Sequence, residues 1–191
     1  MINDACIRAV VVGGLFCVGP YARSADFVRL GEFTDGVFLS GATAVSANGT
    51  FVAAFRTPPG EDAMSPYQWT APDQRVFLGQ PPGRFSLANA VTDDGQVVVG
   101  THRIERSDIY EQAFVWEPSS GMVPLSGLPQ GARHTQANDI TPDGTVIVGR
   151  TSIGITGAFD SEAFRMNIGG QAIGLGDLPG GLDHRDRKSV V

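Results

Sequence analysis

Three histidines, His102, His134 and His184, and the acidic pair Asp93-Asp94 have the most chemical capacity of any side chains in this sequence. Converging imidazoles and carboxylates can hold a metal ion, but zinc and calcium sites need particular ligand spacings. No HxH or HExxH pattern occurs, and Asp93-Asp94 lacks the further oxygen ligands of a calcium loop. His134 and His184 each stand six residues before an aliphatic residue, Ile140 and Val190. They therefore repeat one position rather than build one site, and solvated or turn-packing histidines are the expectation. Asp93-Asp94 is expected to form a turn. No metal and no cofactor are expected. There is no G-x-S-x-G nucleophile motif, and both cysteines, Cys6 and Cys17, lie near the start of the chain. Paired carboxylates for glycoside cleavage need not be neighbours in sequence, but no pair is singled out. No catalytic residue is assigned.

Binding is the better prospect. Arg103, Arg106, Tyr110, Arg133 and His134 are the candidate contact residues. Arginine and tyrosine are over-represented at binding hot spots. The first three lie in a connection, Thr101–Glu111, that varies in length and composition against its counterparts Arg56–Met64 and Arg150–Ser161. Variable connections on one side of a repeat array often form its binding surface.

These loops imply a scaffold, and the sequence writes it three times. Ala42–Ala54, Ala88–Gly100 and Ala137–Gly149 each hold an apolar strand, a four-residue turn and a second apolar strand. In Thr141-Pro142-Asp143-Gly144, proline presets φ, Thr and Asp bond nearby backbone, and Gly accepts the left-handed conformation that closes a type I turn with a bulge. Ser46-Ala47-Asn48-Gly49 and Thr92-Asp93-Asp94-Gly95 follow suit, so the sequon Asn48-Gly49-Thr50 reads as turn chemistry. The second strand is a continuous apolar run, which suits a strand covered on both faces. Small residues at Ala42, Ala88 and Ala137, and at Ala44 and Ala90, imply close neighbours. Asp139 breaks that second series.

A third strand recurs as Tyr67-Gln68-Trp69, Phe114-Val115-Trp116 and Phe164-Arg165-Met166, alternating as a strand does. A fourth recurs at Val76–Gly79, Met122–Leu125 and Ala172–Gly176. One unit is four strands in just under fifty residues, without helical periodicity or caps. The expected fold is all-β, a β-propeller-like array of four-stranded antiparallel blades. The units run roughly 37–83, 84–131 and 132–181, with a lone leading strand at 26–36 and a truncated stub at 182–191. Three blades and a strand make an incomplete, open propeller the expectation. Its end faces would be wet and apolar, which predicts self-association.

Residues 1–25 read as a secretory signal: Arg8, an apolar run from Ala9 to Val18, then Ala22-Arg23-Ser24 before Ala25. The run is too short to span a bilayer. The remaining 26–191 would be a cysteine-free repeat domain. Net charge is −6, from 20 acidic and 14 basic residues, which argues against nucleic acid as a partner. Ser189-Val190-Val191 falls where a fourth opening strand should begin, so a fragment of a longer array is expected.

The pattern A-x-A-V-S/T-x-D-G-x-V-V-V-G, then A-F-x-W, then G-M-x-x-L-x-G-L-P-x-G, resembles the extracellular HAF-repeat family. Val91–Gly95, Ala113–Trp116, Gly121-Met122 and Leu128-Pro129 carry it most fully. The first unit departs at Asn48, Ala53-Ala54 and Pro66, and the third at Met166. The resemblance implies a bacterial exported β-rich repeat protein, often within surface or autotransporter-like chains, and no catalytic residues. The functional expectation is an exported non-enzymatic module, structural or adhesive, secreted or at the outer cell surface, with the periplasm as the alternative location, and with an unknown protein or glycan ligand. The alternative is a fragment of a propeller-type glycan-acting hydrolase or lyase.

Overall fold

A computed structural model describes residues 39–59, 63–72, 74–79, 85–103, 111–130, 132, 134–152 and 161–176. The expected leader at 1–25, the expected lone strand at 26–36 and the expected stub at 182–191 lie outside the described residues. Twelve strands and no helix make up the described chain. The first blade holds β1 (Leu39–Val45), β2 (Phe51–Thr57), β3 (Ser65–Thr70) and β4 (Gln74–Phe77). The second holds β5 (Phe85–Val91), β6 (Val98–Arg103), β7 (Glu111–Glu117) and β8 (Gly121–Pro124). The third holds β9 (His134–Ile140), β10 (Val146–Ser152), β11 (Ser161–Asn167) and β12 (Ile173–Gly174). Each blade is an antiparallel sheet in sequence order. Pairing across blades is confined, among the described residues, to one isolated bridge between Met64 and Phe85.

The three repeated turns are superposable in their chemistry. Gly49, Gly95 and Gly144 have φ of 75°, 68° and 73°, the left-handed region that glycine enters without steric cost. Their N–H groups donate to the carbonyls of Ser46, Thr92 and Thr141 at 2.8, 3.1 and 2.8 Å. The hydroxyls of those same residues donate to Asn48, Asp94 and Asp143 at 2.8, 2.6 and 2.6 Å. The side-chain oxygens of Asn48, Asp94 and Asp143 in turn accept from the N–H of Thr50, Gln96 and Thr145. Asn48 departs from the repeated aspartate in sequence, yet its amide oxygen fills the same acceptor role.

The small residues answer to the packing in the second and third blades; Ala42 is exposed instead, because among the described residues no blade stands against that side of β1. Ala88 and Ala137 are fully buried. A Cβ on Gly100 would lie 2.0 Å from the Leu87 carbonyl and 2.6 Å from the Phe114 ring; on Gly149 it would meet the Gln136 carbonyl and the Phe164 ring at 2.0 and 2.7 Å. The aromatic of each third strand therefore rests on the glycine of the second. Blade 1 manages with Ala54 and Tyr67, both buried.

Two cores lie between the blades. Ala53 and Leu78 of blade 1 pack with Ala88, Val91, Val98, Phe114 and Trp116 of blade 2. Ala90, Val99, Ala113 and Leu125 of blade 2 pack with Ala137, Ile140, Ile147, Phe164 and Met166 of blade 3. Burying a side chain such as Phe114 contributes about 1.5–3 kcal/mol. Met166 occupies the place of Trp116 and is as well buried.

Polar contacts fix the blades against one another. The first strand of each blade carries a register shift at its middle, at Thr43, Asn89 and Asn138. A bulge re-aims the extra side chain. Thr43 donates to the Ala88 carbonyl, and Asn89 donates to the Ala137 carbonyl at 2.8 Å. At the tips, Asn48 N–H donates to the Asp93 carboxylate at 2.9 Å, and Asp93 N–H donates to the Pro142 carbonyl at 3.0 Å. Asp93-Asp94 is thus consumed in joining and shaping turns.

Candidate binding site between the second and third blades

Antiparallel order puts the repeated turns at one end of the array. The strand ends that lead into the β2–β3, β6–β7 and β10–β11 connections and from one blade to the next stand at the other. The strands run further into these connections than the apolar pattern indicates. Thr101, His102 and Arg103 belong to β6, and Glu111 opens β7. The cause is the ladder itself: Arg103 pairs with both Phe85 and Glu111, so backbone bonds carry the strand past its last valine.

Glu111 is the centre of this end. Its side chain is 15% exposed, while those of Arg103 and Arg150 are 50% and 47% exposed. Arg103 donates through Nε and Nη2 to Glu111 Oε1 at 3.3 and 3.0 Å. Arg150 Nη2 lies 3.7 Å from Glu111 Oε2. Gln136 donates its amide N–H to Glu111 Oε2 and accepts from Arg150 Nε at 2.8 Å. The Arg103 guanidinium also lies 5.8 Å from the Phe85 ring centroid. Beneath this, Thr135 of blade 3 accepts the Ala113 N–H of blade 2 at 2.8 Å, a buried bond that fixes the two blades at that level. Two cations and one anion thus stand across a blade boundary, with both cations reaching water.

Below the surface layer, His102 is 6% exposed and its ring is 6.5 Å from that of Phe114. The expectation of a solvated histidine is wrong for His102, because β6 continues through it. Burial holds its pKa below the ordinary value, which favours the neutral imidazole. Among the described residues, His102 Nδ1, Ser86 Oγ, Thr151 Oγ1 and Ser152 Oγ are buried without a hydrogen-bond partner. Among the described residues no three His, Cys, Asp or Glu side chains gather as metal ligands.

Of the five sequence candidates, Arg103 stands in the Glu111 cluster. His134 opens β9 beside Ser152, half-buried rather than out in a loop. Arg106, Tyr110 and Arg133 lie outside the described residues. Glu111, Gln136 and Arg150 were not anticipated. Opposite charges on Arg103 and Glu111, flanking one connection, were a usable signal for a cross-strand pair. Arg150 gave none, because its reach to another blade depends on tertiary packing.

The chain is similar to a protein assigned as TolB from Agrobacterium tumefaciens, at 16% identity and a TM-score of 0.51, over 70% of this chain and 45% of that one. This is a propeller-like blade array. At such identity the likeness speaks for fold alone, and the chain covers under half of that protein. TolB from Acinetobacter baumannii matches at 16% identity and a TM-score of 0.49, over 68% of this chain and 30% of the other. A prolyl endopeptidase matches at 18% identity and a TM-score of 0.46, over 72% and 21%. No family model and no curated protein matches the chain.

Proposed function

We propose that this chain is an exported, non-enzymatic repeat module that binds a protein or glycan ligand at the bacterial surface through the loop end of its blades. The observation that carries the reading is the Arg103–Glu111–Arg150 cluster. It places charged groups that reach water at the end where the variable connections gather, on blades held together by buried contacts. Export rests on the leader-like residues 1–25 and on the resemblance to HAF repeats. Among the described residues no helix is long and apolar enough to cross a membrane. Leu39 and Val45 of blade 1, and Val148 and Leu175 of blade 3, are exposed and support weak association between copies. Light scattering of the full chain at rising concentration should show mass above the monomer.

The experiment is binding of the labelled full chain to bacterial cells and to a glycan array. The measurement is repeated with Arg103 and Arg150 replaced by alanine and with a turn-end control, Gln96→Ala. Binding lost in the arginine variant and kept in the control supports the reading. A chain that binds nothing, or that cleaves the glycans it meets, sinks it.

A further inference from the structure

We propose that Asn48 is the site of a spontaneous covalent change, loss of its side-chain amide, and that the product unfastens blade 1 from blade 2 at the turn tips.

Asn48 is the only asparagine in the chain that a glycine follows. Both residues are exposed, and open space lies where Gly49 would carry a side chain. A backbone nitrogen with no Cβ beside it can approach the preceding side-chain amide closely. In the reaction, Gly49 N attacks Asn48 Cγ. The new C–N bond closes a five-membered imide, the Cγ–Nδ2 bond breaks, and ammonia leaves with the Gly49 amide proton. Water then opens the imide at either carbonyl. The products are aspartate, or isoaspartate with the main chain rerouted through the side chain. Water is the only co-reactant.

The folded turn holds back the first step. Gly49 N–H is tied to the Ser46 carbonyl at 2.8 Å, and Asn48 Nδ2 donates to the Asp93 carbonyl at 2.8 Å. The Asn48 amide oxygen accepts from the Ser46 hydroxyl and the Thr50 N–H. Nucleophile, leaving group and carbonyl oxygen are all engaged.

The other two turns indicate what the product does. Asp94 and Asp143 hold the same turn position and accept the same turn bonds. Aspartate at position 48 would therefore keep its own turn. It would not keep the joint to blade 2. A carboxylate has no N–H to give the Asp93 carbonyl, and it would lie beside the Asp93 carboxylate, which accepts the Asn48 N–H at 2.9 Å. Asp94 meets no such conflict, because blade 3 presents uncharged Pro142 at the place of Asp93. Asparagine in the first turn, where the others carry aspartate, thus has a physical reason in its neighbour.

Incubation of the full chain at mildly alkaline pH, followed by peptide mass mapping, tests the chemistry. A gain of one mass unit should build up at Asn48 ahead of Asn89, Asn138 and Asn167. It should build up about tenfold faster in urea, where the holding hydrogen bonds are gone. Asn48→Asp makes one product directly. It should lower the midpoint of thermal unfolding by about 2–4 °C, as expected for about one lost hydrogen bond in a domain of this size. Asp93→Asn, which removes the facing charge and keeps an acceptor, should restore part of that loss. Asn48 left intact while the unfolded chain converts, or conversion of the other asparagines at the same rate, would overturn the site. Equal rates with and without urea would overturn the restraint by the turn. A midpoint that Asn48→Asp leaves unchanged, or a loss that Asp93→Asn does not relieve, would overturn the unfastening. Ligand binding at the opposite end is untouched by any of these outcomes.

Discussion

The forward faces of blade 2 and blade 3 are built on the same frame and finished in opposite ways. Across blade 2, one cross-strand row reads Ala90, Val99, Val115 and Val123. Across blade 3 the same row reads Asp139, Val148, Arg165 and Ile173. On blade 2, Ala90 and Val99 are sealed beneath Ile140, Ile147 and Phe164. On blade 3, Asp139 is exposed and Val148 and Ile173 are 38% and 62% exposed. This accounts for the break that Asp139 makes in the alanine series. Its position demands a small apolar residue only where a further blade presses on it, and among the described residues none does. Equivalence in sequence is thus not equivalence in environment. The repeat sets the strand, and the neighbour sets the chemistry.

Exchanging residues between the two faces should expose the contrast most sharply. Ala90→Asp puts blade 3's residue into blade 2, where it would bury a carboxylate without a partner. A loss of about 3–5 kcal/mol is expected, enough to unfold a marginal domain. Asp139→Ala, which removes the acceptor of the Ile140 N–H, should cost no more than about 1 kcal/mol. Urea unfolding followed by tryptophan fluorescence measures both, and comparable losses would erase the distinction. Gly100→Ala comes next. Its Cβ has backbone on one side and the Phe114 ring on the other, so a loss of about 1–3 kcal/mol is expected. Gly169→Ala, with φ of 73° and open space around the added carbon, should cost about 1 kcal/mol. A third pair compares the bulge residues. Asn89→Ala breaks the bond to Ala137 and should cost about 1 kcal/mol. Asn138→Ala should cost nothing measurable, since Asn138 is exposed and has no hydrogen bond among the described residues.

The smallest effect is on the turns. Hydrogen bonds from Thr141 and Thr145 hold the Asp143 pKa down to about 2, and bonds from Thr92 and Gln96 lower that of Asp94. A carboxylate depressed on folding stabilises the native state above its unfolded pKa, near 3.8, and loses that contribution as pH falls through its folded value. The Asp143 contribution should therefore be intact at pH 5 and fade between pH 4 and pH 2. Asp143→Asn, which keeps the acceptor as Asn48 does, should flatten that part of the stability profile. An unchanged profile would count against the turn as its source.

Much of the fold is legible in the residues. The turn tetrads, the alternating third strand and the buried alanines at 88, 90 and 137 each have one physical solution, and they agree with one another; exposed Ala42 does not follow them. The strand ends are not so legible, because His102 and Arg103 owe their place to ladder bonds rather than to apolar runs. The site is half legible. Arg103 stands out by type and position, whereas Arg150 and Gln136 enter only through packing between blades. Nothing in the row Asp139–Arg165 announces its exposure until the neighbouring blade is located.

The hydrogen bonds that run from Asn48 to Asp93 and from Asp93 to Pro142 lie at the end opposite the arginines. One rim of the array is therefore sutured and sets the angular pitch of successive units. At the other rim the bonds between blades come from strand ends, Ala113 to Thr135 and Gln136 to Glu111, so the connections beyond them can lengthen, shorten or change composition while the pitch holds. An assembly of this kind can diversify what it grips without renegotiating how it stands.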